Sequence, residues 1–326
     1  MLERLGTIFG AVLMGAALTA CGGVGQLAPG SAVSSDHSSN RSGSTGDLLY
    51  VAGACGGICI FTYPEINYVA SITGIVGGFL CTDADGDVYV TEGSGNFSVG
   101  YIYEFAHGGT EPIKTLNDTG FPEGCSVDPT TGNLAVANEA SPGTEFYHGD
   151  LAIYANAEGT PTYYKTQNIT NYAFCSYDNK GNLLVDGSGD GTAFAILPRG
   201  GNSLNPVTFS QKTTGGTILW DGQYFDIGQG YVGHGTIDRV SISGSSGTVV
   251  SQVTIGGKVK TLPGSLPFAL NGKTVALFYR PPVHPTNYLG FWRFPQGGKP
   301  RRVVKQFDGY KMPDFMPYGI IVSRKP

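Results

Sequence analysis

The apolar positions of this chain fall into two unlike patterns. Near the N-terminus, residues 5–18 form one unbroken, largely apolar run of 14 residues behind Arg4. That is shorter than the ~20 residues a membrane-spanning helix needs, and it suits the apolar stretch of a secretory leader. From Gly46 onward the apolar residues come in short runs, each opened by a glycine and a polar residue. These pairs are Gly46-Asp47, Gly86-Asp87, Gly132-Asn133, Gly181-Asn182, Gly222-Gln223 and Gly272-Lys273, at spacings of 40, 46, 49, 41 and 50 residues. Each has the chemistry of a tight hairpin turn, where glycine supplies positive φ at little cost.

A second turn recurs between the first. It reads YEFAHGGTEP (103–112), YANAEGTP (154–161), ILPRGGNSLNP (196–206) and RFPQGGKP (293–300), and Gly244-Ser245-Ser246-Gly247 takes its place in the fifth unit. Together the two rulers divide each unit into four strands; in the third unit these are 124–128, 133–138, 150–155 and 162–166. Four short strands every 40–50 residues, with no segment of helical apolar spacing, predict an all-β, six-bladed β-propeller of four-stranded blades over 46–326. The first unit lacks its first strand. The final Pro317-Tyr318-Gly319-Ile320-Ile321-Val322 reads as that strand, closing the ring by pairing with the N-terminal blade and removing an open edge.

Unit three, Pro122-Glu123-Gly124-Cys125-Ser126-Val127-Asp128 followed by Gly132-Asn133-Leu134-Ala135-Val136, resembles the NHL repeat, and units two and four share its core. That resemblance implies the propeller fold and leaves activity open, because such propellers serve as enzymes, ligand binders and scaffolds alike. The leader ends in Leu18-Thr19-Ala20-Cys21, which resembles the bacterial lipobox, where the cysteine thiol is lipidated and the leader (1–20) is cleaved. Residues 22–45 are rich in Gly, Ser and Ala and suit a flexible tether. The whole chain looks like the propeller lipoproteins of environmental bacteria. The resemblance implies an exported protein anchored by lipid at Cys21 to the cell envelope, with Gly22 in place of the aspartate that holds lipoproteins at the inner membrane.

Net charge is −5, distributed as +5 over 299–326 (seven Lys/Arg, two Asp) and about −10 elsewhere. An acidic body without a basic groove excludes nucleic acid as a partner. The basic end reads as an edge strand protected by Arg301, Arg302 and Lys305. With Cys21 lipidated, five cysteines remain. Cys55 and Cys59 flank two glycines and are one candidate bridge; Cys125 and Cys175, on first strands of successive units, are another.

Ligands of propellers meet the face built from loops after second strands and from entries to first strands. There the sequence places Glu92, Asn138, Glu139, His148, Gln229, His234, Tyr279, Arg280 and His284. Glu123, Asn171 and Asp186 are the weak catalytic candidates. They are the residue types that hold a divalent cation in regucalcin- or gluconolactonase-like hydrolases of this fold. The Asp83-Ala84-Asp85-Gly86-Asp87 run imitates part of a calcium loop but has Ser94 at its twelfth position, so it reads as a turn. No cofactor and no metal site is expected. The leading function is an envelope-anchored binding module for a protein, glycan or small ligand, and the alternative is a metal-dependent hydrolase or lyase with its site at the axial pocket.

Overall fold

The computed structural model describes residues 46–325 apart from 76–77, 94–98, 142–147, 232–233, 257–263, 282–286 and 307–316. Among these the chain is all-β, with one 3-10 turn at Ala155–Ala157. The first sheet holds β1 (Leu48–Ala54), β2 (Gly57–Thr62) and β3 (Tyr68–Thr73). The second is β4 (Leu80–Thr82), β5 (Val88–Gly93), β6 (Gly100–Phe105) and β7 (Lys114–Asp118). The third is β8 (Pro122–Val127), β9 (Leu134–Asn138), β10 (Asp150–Tyr154) and β11 (Thr162–Tyr164), within three residues of the strands the repeat predicts.

The fourth unit comprises β12 (Asn171–Tyr177), β13 (Leu183–Gly189), β14 (Gly191–Leu197) and β15 (Asn205–Phe209). The fifth comprises β16 (Ile218–Trp220), β17 (Phe225–Tyr231), β18 (His234–Ser243) and β19 (Ser246–Ile255), with the two-residue β20 (Gly264–Ser265) beside β17. The sixth comprises β21 (Phe268–Asn271), β22 (Thr274–Tyr279), β23 (Tyr288–Arg293) and β24 (Gly297–Val304). Within each unit successive strands pair antiparallel. The outermost strands of units four, five and six also touch through short parallel pairings, Thr208 with Ser246 and Ile255 with Gly298, which merge these units into one continuous sheet. The last strand, β25 (Gly319–Ser323), pairs antiparallel with β1 from Leu48↔Ser323 to Ala52↔Gly319.

The first strands of the units lie side by side: β25 against β4, β4 against β8, β8 against β12, β12 against β16, and β21 against β25. The second strands carry apolar residues on both faces, and alternation sends the two sets to different neighbours. In β1, Leu48, Tyr50 and Ala52 pack toward the second sheet, whereas Leu49 and Val51 pack toward the sixth. In β9, Leu134 and Val136 face the second sheet while Ala135 and Ala137 face the fourth. Each of the six apolar clusters among the described residues draws on two units in this way.

The turn chemistry is also as the repeat implies. Gly86 and Gly132 take φ of +80° and +73°. In units two to five an aspartate before the turn ties it down: the Asp178 carboxylate accepts from the N–H of Lys180 and of Asn182 at 2.8 Å each, and Asp221 does the same for Gln223 and Tyr224.

Two disulfides staple this frame. Cys55–Cys59 spans the turn between β1 and β2. The second corrects the sequence reading. Cys125 bonds to Cys81, not to Cys175, and joins β8 to β4 across a Cα–Cα distance of 5.7 Å. Cys175 is left as a buried free thiol. Its sulfur turns toward the Gly124 and Ala135 carbonyls at 3.8 and 3.9 Å, inside the apolar layer between units three and four. Burial, with the charge of Asp186, pushes that thiol far above the ordinary range, so its reactive thiolate is scarce. Non-reducing peptide mapping is therefore expected to return Cys55–Cys59 and Cys81–Cys125, with Cys175 alkylated only after unfolding. Replacing both Cys81 and Cys125 by serine should cost about 4 kcal/mol in denaturant melts, the chain-entropy value for a loop of this length.

Candidate functional site

The residues singled out at the entry ends of the first strands do sit near one another, but most are already employed. Asp186, on β13, is 1% exposed. Its two carboxylate oxygens accept from the Phe174 N–H at 2.8 Å and the Gly216 N–H at 2.7 Å, tying unit four to the segment leading into unit five. Burial raises its pKa to about 7, against those two hydrogen bonds. Asn138 is fully buried, donating to Asp118 at 3.1 Å and Asp150 at 2.8 Å. Gln229 is equally interior, donating to Thr213 at 2.6 Å and to Asp238. Tyr279 packs edge-on to Tyr288 and Trp292 in the core. The structure thus withdraws Asn138, Asp186, Gln229 and Tyr279 from the surface on which the sequence reading put them. The reason is common to all four: a side chain on a second strand points into the layer between two sheets.

Glu92, Glu139, Asn171, His148 and Arg280 keep some solvent contact. Glu92 accepts from the Tyr103 hydroxyl at 3.1 Å, and burial together with Glu92 pushes that phenol up to about 12. Arg280 donates to Asn287 at 3.2 Å. The His234 side chain, His284 and Cys21 lie outside the described residues. Glu123, Glu139 and Asn171 form the cluster that is brought together. Asn171 donates to the Glu139 carboxylate at 3.5 Å, and Glu123 feels the Glu139 charge. Glu123 retains some solvent contact although protein surrounds it on nearly every side. That burial, then Glu139, raises its pKa to about 8.

A cavity opens at the other end of the first strands, on the face carrying the Gly-Asp and Gly-Asn turns. Its volume is about 690 Å³. β4, β8, β12, β16, β21 and β25 all contribute to its wall, through residues such as Cys81, Ser126, Tyr177, Trp220, Leu270 and Val322. At one side stand Asp83, Asp87 and Glu104, whose carboxylate oxygens lie within 4.8 Å of one another, a spacing that a cation could bridge. Asp83 is the turn residue the sequence implied, accepting from the N–H of Asp85 at 3.0 Å and of Asp87 at 2.9 Å. Burial raises the pKa of both Asp83 and Asp87.

Glu104 and Lys114 complete this group and were not foreseen. They arrive through strand register, Tyr89 opposite Glu104 and Glu104 opposite Lys114. The Lys114 ammonium lies 3.0 Å from Glu104 and 3.6 Å from Glu158. Burial alone would lower the Lys114 pKa, but its bonds to Glu104 and Glu158 raise it on balance. Lys114 therefore already supplies the counter-charge a metal would bring.

No family model and no curated protein matches this sequence. Solved structures do. A chain of the nidogen/laminin complex aligns at a TM-score of 0.59 and 14% identity, over 86% of this chain and 99% of that one. A protein of unknown function from Bacteroides caccae aligns at 0.55 and 14%, over 86% and 100%. The WD40 repeats of RRP9 align at 0.50 and 13%, over 76% and 72%. With the four-stranded sheets, these likenesses show a β-propeller fold. At such identities they carry the fold alone.

Two outcomes follow. Asp186→Ala, which strips two buried N–H groups of their acceptor, should destabilise the fold by about 2–4 kcal/mol in urea melts. Glu123→Gln should instead stabilise it in alkaline solution. A carboxyl with a raised folded pKa keeps its proton longer in the native state than in the unfolded one. Its stability contribution is therefore full below the unfolded pKa and is lost as pH climbs through about 8. The variant should melt a few degrees higher than the parent at pH 8 and match it near pH 4. Asp186 and Asp226, raised to about 7 and about 8, slope the parent's stability the same way.

Proposed function

We propose that this chain is exported by its leader, lipidated at Cys21, and displayed on the cell envelope as a ring of six blades closed by β25. There it works as a binding module for a protein, a glycan or a small ligand. The leader's apolar run, the Leu18-Thr19-Ala20-Cys21 sequence and the Gly/Ser tether support the anchor. The β1–β25 ladder and the apolar cluster shared by the first and sixth units support the closed ring.

The observation that carries the binding role is the cavity of about 690 Å³ where the first strands converge. Its volume falls in the range of small-molecule sites, roughly 300–1,000 Å³. A propeller chain in the nidogen/laminin complex belongs to a protein assembly, which supports an interaction role for the fold. The hydrolase reading would need Glu123, Asn171 and Asp186 to point free oxygens at one ion. Both Asp186 oxygens are held by backbone N–H groups, which counts against it.

The test uses the full chain expressed in a bacterial host. Cys21→Ser should move it from the membrane fraction to the soluble one and remove the acyl mass from the N-terminal peptide. Protein purified without chelator should carry no stoichiometric divalent metal. About one ion per chain, lost in Glu123→Ala, would favour the hydrolase instead.

A further inference from the structure

The cavity's wall carries an unusual balance of groups. Four carboxylates line it (Asp83, Asp85, Glu104 and Asp128), faced by the cations Lys114 and Arg324. Three of these acids are already partnered, and the fourth, Asp85, is exposed. Asp128 accepts from the Thr130 N–H and hydroxyl at 2.8 Å each and from the Thr131 hydroxyl at 2.6 Å. Asp83 serves two backbone N–H groups of its own turn and, at 3.4 Å, the Tyr89 hydroxyl, while Glu104 is paired with Lys114. An ammonium ligand would have to displace Lys114 to gain its strongest partner. A hydroxyl would not, since Oδ2 of Asp83 and Oδ2 of Asp128 each serve a single donor and keep a second lone pair to offer.

Donors stand in the same wall. The three donors of Lys114 go to Glu104, Glu158 and the Ala157 carbonyl, whereas Arg324 and Asn156 line the cavity beside the acids. So does Trp220, a half-buried ring whose indole N–H is buried and has no hydrogen-bond acceptor. A buried donor left without an acceptor is uncommon in folded proteins, and indole N–H groups ordinarily find one. Its ring, set edge-on to Phe225 at 4.9 Å, is a flat apolar platform next to hydrogen-bonding groups.

We infer that this cavity takes a neutral carbohydrate, a mono- or disaccharide unit whether free or at the end of an envelope glycan. Sugars alone among common small ligands present many hydroxyls that donate and accept at once, together with a C–H face that packs on an aromatic ring. This inference rests on the binding role assigned to the cavity. In it the carboxylates accept from sugar hydroxyls, Arg324 donates to their oxygens, and Trp220 packs against the ring.

The test is isothermal titration calorimetry on the full chain in detergent. The probes are glucose, galactose, N-acetylglucosamine and their disaccharides, with spermidine, arginine and citrate as charged comparators. Tryptophan emission is followed in parallel. One or more sugars should bind at one site per chain with a change in emission. The affinity should fall tenfold or more in Asp85→Ala, an exposed position that leaves the turn's hydrogen bonds intact, and in Trp220→Phe. Circular dichroism melts verify that each variant folds.

Sugar binding unchanged in both variants would overturn the assignment to this cavity. Binding of spermidine or arginine without any sugar, weakened by Asp85→Ala, would overturn the carbohydrate class and leave the cavity's binding role standing. Silence from every probe in a folded wild-type chain would overturn both.

Discussion

The structure depends on sheets packed face to face, each sheet covering both of its neighbours. A strand in that setting has no wet face, so its alternate residues must be apolar in both directions. β1, β9 and β22 show this most plainly: Val275 and Leu277 enter one layer while Ala276 and Phe278 enter the next. Small residues sit where sheets approach closely. A side chain on Gly124 would run into the backbone of Ala173 and Phe174 on the neighbouring first strand. Because apolar burial is worth roughly 25 cal/mol per Å², a succession of such layers is stabilised between sheets as well as within them. This explains how strands of three to seven residues can suffice.

The same packing dictates what becomes of polar side chains. A carboxylate or amide carried into a layer must find its partners there, since an unmet buried group costs a few kcal/mol. Asp118 of unit two solves this with Asn138 and Tyr154 of unit three, where Asp150 in turn meets Asn138 and Ser141. Thr213, Gln229, Asp238 and Gln252 solve it in unit five. Arg302, on the outer strand of unit six, reaches the Pro64 and Glu65 carbonyls of the first unit. Residues that look like chemistry in the sequence are thus joints of the frame. The polar groups left over gather at the two ends of the axis, Glu123 with Glu139 at one and the lined cavity at the other.

The two ends differ in kind. At the entry end, carboxyl groups with raised pKa values face each other with little room around them, and they tax stability as pH rises. At the turn end there is a chamber, where turn N–H and hydroxyl groups serve Asp83 and Asp128 and Lys114 pairs with Glu104.

What the sequence determined by itself is the local structure. Glycine at positive φ, the aspartate that caps the turns of units two to five and the alternation of short apolar runs act over a few residues, so the strands of unit three could be read directly. Its candidate residues were harder, because a period of two does not say which layer a side chain enters or whether a partner waits there. Asn138 and Gln229 look like surface polars until the neighbouring sheet is in place. The Cys81–Cys125 bond, the approach of Glu104 and Lys114 to Asp83, and the chamber itself arise from strand register and from residues separated by tens to hundreds of positions. Only the tertiary structure decides those, because the contact energies that select them exist only once the sheets have closed on one another.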